Sequence, residues 1–284
     1  MCSLEVMIIE GIVFDMDGVL RFGNRPAPYA KELIECVAKK KIPTMILTNE
    51  CRYTESVIKT DLECMGLKIP ESWKIYTSAM AARDFILNLA LKDNKTLYAI
   101  GVVGEIGLKE TIYDLEQCKT CKVFEQPPKN TETEISVKIL VIGCLSNINN
   151  NVLMKCKKWI DSGAKIIITS PDLVDPGYSD ENYVSPSKII HMLSFKSKPI
   201  SHYNVGKPNA ILTNVIKQNL GFNHLNNVMF VGDTMTTDIQ LATENNMISC
   251  YIISSQNGAK ELETRSGYSK VVSNSLAPFC DDMM

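Results

Sequence analysis

The hydrophobic runs of this chain are short, and several end at a residue with chemistry to offer. Gly11-Ile12-Val13-Phe14 reads as a buried strand that stops at Asp15. Ala30, Leu33, Ile34, Val37 and Ala38 recur at helical spacing and predict an amphipathic helix over 28–40. Ile42 to Leu47 is a second apolar strand, ending at Thr48 and Asn49, and a helix over 54–65 follows, closed by Gly66. In the C-terminal third, a helix over 208–220 opens at Pro208. A strand from Val228 to Val231 then stops at Gly232 and Asp233, a helix spans Thr237 to Asn246, and a strand spans Ile248 to Ile253. The middle has its own cycle: strand Leu97 to Ile100, helix 106–117, strand Lys138 to Ile142, helix 150–162, strand Lys165 to Thr169. The polar stretch 125–136 reads as a loop. Alternation of strand and helix predicts an α/β fold with a parallel sheet covered by helices.

Composition narrows the class. The chain has 284 residues, 45% of them hydrophobic and 22% charged, enough for one large domain or two modest ones. A net charge of -2 shows no basic excess, so no nucleic-acid partner is expected. None of the apolar runs reaches the roughly 18 to 20 residues a membrane helix needs, so no membrane association is expected either. The N-terminus lacks a basic stretch, and Glu5 and Glu10 interrupt its apolar pattern, so no signal peptide is expected. The 10 cysteines are irregularly spaced, and Cys36, Cys144 and Cys250 lie within apolar patterns. They read as reduced thiols of a cytoplasmic protein. Cys118 and Cys121 form one CxxC, but a structural zinc site needs two further ligands at matching spacing, and the three histidines are scattered.

The acids fall at informative places. Asp15 and Asp233 each end an apolar strand, as do Thr48 and Asn49, and in open parallel sheets ligands bind at that edge. Asp15-Met16-Asp17-Gly18 places two carboxylates on one strand-to-loop turn. With Asp233 and Asp238 they would repel strongly in a shared crevice, and a divalent cation with few oxygen ligands, magnesium, would relieve that repulsion. Lys207, between Gly206 and Pro208, reads as a helix entrance whose ammonium can neutralise a phosphate oxygen. A nucleophile, a proton donor and cations are what phosphoryl transfer requires.

These residues carry a resemblance. Asp15-Met-Asp-Gly-Val-Leu20, Thr48-Asn49, Gly206-Lys207-Pro208 and Gly232-Asp233-Thr-Met-Thr-Thr-Asp238-Ile239 resemble the four motifs of the haloacid dehalogenase superfamily. The length of the middle insert resembles its class IIA branch, which includes para-nitrophenyl phosphatases, pyridoxal phosphate phosphatases and phosphoglycolate phosphatases. The resemblance implies a Rossmann-like parallel-sheet core over 1–80 and 199–284 with an α/β cap inserted at 81–198. It implies a hydrolase of a small phosphomonoester, with Asp15 as nucleophile and magnesium ligand. Asp17 is then the general acid and base, with its main-chain carbonyl on the metal. Asp233 is the remaining carboxylate ligand, and Asp238 stands behind the metal. Thr48, Asn49 and Lys207 hold phosphate oxygens. Asp172, in the cap segment Thr169-Ser170-Pro171-Asp172, is expected to bear on substrate specificity. Relatives with such a cap are often dimers, so a homodimer is expected.

The chain departs from the branch pattern on the substrate side. Glu50 and Cys51 follow Asn49 where a further Asn is common, Ser170 replaces an Asn, and Cys144 and Leu145 stand near a usual Asp. These departures leave the substrate open: pyridoxal phosphate, phosphoglycolate, a sugar phosphate or a nucleotide. Two other readings share the same residues: a phosphotransferase or mutase using the same intermediate, and a non-catalytic phosphate-binding module. Gly101-x-x-Gly104 does not have dinucleotide-loop spacing, which disfavours a nucleotide-cofactor oxidoreductase.

Overall fold

The computed structural model describes residues 8–92, 97–128, 135–172, 183–194, 199–253, 271–273 and 275–276. Its elements begin with β1 (Gly11–Phe14), β2 (Arg21–Phe22), β3 (Arg25–Pro26), α1 (Ala30–Lys40), β4 (Thr44–Thr48) and α2 (Glu55–Cys64). There follow β5 (Lys74–Thr77), α3 (Ser78–Lys92), β6 (Leu97–Val103), α4 (Ile106–Tyr113) with a 3-10 turn at Asp114–Gln117, β7 (Cys121–Val123) and β8 (Ile135–Ile142). Next come α5 (Asn150–Asp161), β9 (Lys165–Ile168), α6 (Pro186–Ser194), β10 (His202–Asn204) and α7 (Ile211–Leu220). The chain continues through β11 (Val228–Gly232), a π-helical turn at Met235–Ile239, α8 (Gln240–Glu244), β12 (Ile248–Ile252) and β13 (Val271–Ser273). No described helix is long and apolar enough to cross a membrane.

The chain folds as two compact units. The first comprises residues 1–48, 58–76 and 207–284. Its sheet has the order β13-β12-β11-β1-β4-β5, with β1 parallel to both β11 and β4. All four residues of β1 are buried, as expected of a strand covered on both faces. In α1, the buried Ala30, Leu33, Ile34 and Val37 form one stripe at helical spacing, and Glu32, Lys39 and Lys40 lie outside it. The chain leaves β1 toward β4 on one side and returns at β11 on the other. This reversal makes the carboxyl end of β1 a switch point, where open α/β sheets bind ligands.

The second unit comprises residues 49–57 and 77–206. Its sheet, β10-β9-β8-β6-β7, is parallel at every pairing. Ala99, Leu140, Ile142, Ile166 and Ile168 line one face and pack with Trp159 of α5 and Ile189 of α6. The short segment 49–57 belongs here because its backbone is held: Gly107 N–H donates to the Arg52 carbonyl at 2.8 Å. A Cβ at position 107 would overlap the Tyr53 backbone, so only glycine lets the two chains approach this closely.

The long apolar strands and the helices with a clear stripe lie where the hydrophobic pattern predicts them. The helix α3 escaped that pattern because its buried residues are largely alanines, which give little contrast between faces. The two- to four-residue strands β2, β3, β5, β7, β10 and β13 are too short to show a period. The helix expected to open at Pro208 begins at Ile211. Residues 129–134 of the expected loop over 125–136 lie outside the described residues, and β8 already begins at Ile135.

Gly107→Ala is expected to destabilise the protein by about 1–3 kcal/mol, since the added methyl meets backbone that cannot swing away. Urea unfolding measures this; a change within ~0.5 kcal/mol of zero, typical of neutral surface sites, would contradict the close approach.

Candidate active site

The first unit gathers most of the expected residues at one sheet edge. The Asp15 N–H donates to the Val231 carbonyl at 2.8 Å, which carries the β1–β11 ladder past the strand and sets Asp15 beside Asp233. Thr48, the buried last residue of β4, ends the neighbouring strand on the other side. After Asp15 the chain turns tightly, with Leu20 N–H and Arg21 N–H both donating to the Met16 carbonyl. Gly18 has φ +87, and a Cβ there would overlap the Asp233 carboxylate. Glycine is thus required at position 18 both for its backbone conformation and for space.

Charge is concentrated in this edge. Asp15, Asp233 and Asp238 are buried, and each offers a carboxylate oxygen within 4.8 Å of the others. Lys207, 2% exposed, places its Nζ 2.6 Å from Asp15 Oδ1 and 2.7 Å from Asp238 Oδ1. Asp238 Oδ2 accepts the N–H groups of Asp233 at 3.2 Å and Thr234 at 3.1 Å. Both Asp238 oxygens are therefore engaged, and the aspartate pins the loop that carries Asp233. It sits on the π-helical turn, an irregularity frequent at functional sites.

The proton affinities follow from burial and charge. Burial pushes the Asp15 carboxyl well above the usual carboxylate range; Asp238 and Asp233 push it further, and Lys207 opposes them. Burial alone would lower Lys207, but the charges of Asp15 and Asp238 outweigh it, and the ammonium is held more tightly than in water. Three buried carboxylates face one ammonium. The donor set is all oxygen and carries excess negative charge, so it fits a hard divalent cation, which Asp15 and Asp233 would meet with Asp238 behind them.

Asp17 points its carboxylate at a partner that the sequence pattern did not reveal. Arg21, 2% exposed, donates from Nε to Asp17 Oδ1 at 2.8 Å. The spacing of four residues is visible in the sequence. The hairpin of β2 and β3 that buries the arginine is not, and a charged residue in a polar stretch reads as surface.

The second unit holds Asn49 and Asp172. Asn49 Nδ2 donates to Asp172 Oδ2 at 2.9 Å, and Ser170 Oγ donates to the same oxygen at 2.6 Å. Asn49 is the next residue in the chain after Thr48, so the strand end at β4 leads directly into this network. Glu50 pairs with Arg52, with Oε2 2.5 Å from Nη2, and accepts the N–H groups of Cys51 and Arg52. The Arg52 guanidinium also lies 4.8 Å from the centre of the Tyr183 ring. Residues 173–182 of the polar loop between Asp172 and Tyr183 lie outside the described residues.

Known proteins share this fold. A family model described as haloacid dehalogenase-like hydrolase matches residues 12–115, and a HAD-hydrolase-like model matches residues 204–278. The chain belongs to the haloacid dehalogenase-like hydrolases. Within that family, the ribonucleotide monophosphatase NagD of Escherichia coli K12 is 25% identical over 261 residues, covering 91% of this chain and 93% of NagD. Dihydroxyacetone phosphatase of Corynebacterium glutamicum is 25% identical over 267 residues, covering 94% and 89%. The 4-nitrophenylphosphatase of Thermotoga maritima superposes with a TM-score of 0.79 over 97% of this chain and 98% of its own, at 21% identity, and shows the shared fold. Both motif-bearing stretches of this hydrolase, around Asp15 and around Asp233, lie inside the matched residues.

From the sequence Lys207 reads as a helix entrance, a place where losing a lysine costs little stability. Its burial between two carboxylates changes that expectation. Lys207→Met is expected to destabilise the fold by about 3–5 kcal/mol, because it leaves buried negative charge uncompensated. Denaturant unfolding at neutral pH without added metal tests this; a loss below about 1 kcal/mol would return the lysine to the status of a surface pair.

Proposed function

We propose that this chain is a magnesium-dependent phosphatase that hydrolyses a small phosphomonoester through a phospho-aspartyl intermediate on Asp15. The observation that carries the reading is the buried Asp15 held 2.6 Å from Lys207 and grouped with Asp233 and Asp238. Phosphatases among its relatives support the reaction class. On this reading residues 81–198 are the cap domain, and 1–80 with 199–284 are the core domain.

In the first half-reaction an Asp15 carboxylate oxygen bonds to phosphorus as the ester P–O bond breaks, and Asp17 gives its proton to the departing oxygen. In the second, Asp17 takes a proton from water, the water oxygen bonds to phosphorus, and the aspartyl P–O bond breaks, releasing phosphate and restoring Asp15. Arg21 acts as a positioning residue that holds the Asp17 carboxylate in line. Lys207, Thr48 and Asn49 bind phosphate oxygens, and Lys207 also opposes the rise in proton affinity that burial imposes on Asp15. Asp15, Asp233 and the main-chain carbonyl of Asp17 would hold magnesium, which supplies positive charge between the carboxylates and the phosphate dianion. Asp172 bears on specificity through Asn49, whose amide it fixes. The free thiols at the eight described cysteines fit a cytoplasmic enzyme.

The central test is release of 4-nitrophenol from 4-nitrophenyl phosphate with magnesium. Turnover is expected to vanish in EDTA and to return with the metal; undiminished turnover in EDTA contradicts the proposal. Asp15→Asn is expected to lose about 10³-fold or more in kcat, because an amide does not attack phosphorus. Asp17→Asn should lose less on this substrate, whose leaving group hardly needs a proton, than on an alkyl phosphate, where about 10²–10⁴ is at stake. Equal losses on the two substrates would remove Asp17 from the role of general acid.

A further inference from the structure

Two cysteines that lie 93 residues apart in the sequence meet inside the second unit. Cys51, in the segment after β4, and Cys144, just past β8, are both buried. Cys51 Sγ accepts the backbone N–H of Cys144 at 3.2 Å and the Thr169 hydroxyl at 3.4 Å. Gly143 leaves room for this, since a Cβ there would come within 2.9 Å of the sulfur. The Tyr183 oxygen lies 2.8 Å from Cys144 Sγ.

This setting differs from that of the other buried cysteines. Burial pushes the Cys250 thiol up to about 12 and the Cys156 thiol up to about 11. Cys51 is just as deep, yet the hydrogen bond from the Cys144 side chain brings it below the usual thiol value, although burial and Glu50 oppose this. The same bond, with burial, raises Cys144. Cys51 Sγ, which accepts two hydrogen bonds, is the sulfur placed to act as nucleophile, and Cys144 is the neighbour placed to resolve it. Both stand where this sequence departs from the pattern of the family it resembles, and the two departures turn out to touch.

We propose that Cys51 and Cys144 form a redox site, in which a peroxide closes a disulfide that slows the phosphatase and a small dithiol reopens it. The Cys51 thiolate attacks one peroxide oxygen, the O–O bond breaks, and hydroxide leaves, giving a sulfenic acid. The Cys144 sulfur then bonds to that sulfur, and the sulfenic oxygen leaves with the Cys144 proton as water. In sum, two thiols lose two electrons and two protons, and hydrogen peroxide becomes two waters. The new bond draws the sulfurs to about 2.05 Å and removes the acceptor of the Cys144 N–H and the Thr169 hydroxyl. Asn49 is two residues from Cys51, so the bond shifts the residue assigned above to the phosphate. The effect on rate rests on that assignment; the disulfide itself does not.

The test treats the full chain with hydrogen peroxide and maps its peptides without reduction. The expected product is a Cys51–Cys144 cross-linked peptide, lighter by two hydrogens than its parts and cleaved by dithiothreitol. Turnover of 4-nitrophenyl phosphate is expected to fall at least about tenfold and to recover with dithiothreitol, since misplacing a positioning group by ~1 Å costs that much or more. Cys51→Ser should turn over normally and resist peroxide. Should that variant not fold, the wild-type peptide map still decides. Two alkylatable thiols after treatment, or over-oxidised Cys51 without the cross-link, overturn the redox site. A cross-link with unchanged turnover overturns the slowing. Absence of turnover before any treatment would instead count against the phosphatase reading and leave the peptide map to judge the disulfide.

Discussion

The first unit is organised around one ammonium group. Lys207 reaches Asp15 on one side and Asp238 on the other, with all three side chains removed from water. Lys207 opposes the rise that burial imposes on the Asp15 carboxyl, and the two aspartates outweigh the effect of burial on the lysine. The contact ties the strand end at β1 to the turn after β11 and to the chain entering α7. Asp238 extends the tie by accepting two N–H groups from the loop that carries Asp233. Such a cluster is a poor device for stability alone, since well-packed apolar residues would serve as well or better. It makes sense as a site arranged for charge that a bound phosphate and a metal would complete.

The second unit shows the same economy around the segment 49–57. Asn49 is held by Asp172, Glu50 by Arg52, Cys51 by Cys144 and Thr169, and Arg52 by the N–H of Gly107. Four consecutive residues are each fixed by a different contact. A segment joined to the strand end at Thr48 is therefore rigid through bonding to its own unit.

Four of the residues that the resemblance to known hydrolases implies also stand together in the first unit. Family matches cover the stretches around Asp15 and Asp233. Burial, ion pairs and carboxylate spacing select Asp15, Lys207, Asp233 and Asp238 without reference to any relative. Where the chain departs from the branch pattern, at Glu50, Cys51, Cys144 and Ser170, each departing residue has a partner within the second unit.

Much of this was legible in the sequence. Runs such as Gly11–Phe14 and Val228–Val231 announce buried parallel strands because both of their faces must be covered, and the residue that ends such a strand lands at the ligand-binding edge. Asp15, Thr48 and Asp233 could be read from that rule alone. The sequence could not show that Arg21 turns inward onto Asp17, that Lys207 is buried rather than exposed at a helix start, or that Cys51 meets Cys144. Those facts depend on contacts between residues far apart in the chain, or on a hairpin too short to leave a periodic trace. Periodicity reports which face of a local element is dry. Only the folded chain decides which polar groups share the dry space, because that is settled by long-range packing and by the need of every buried charge for a partner.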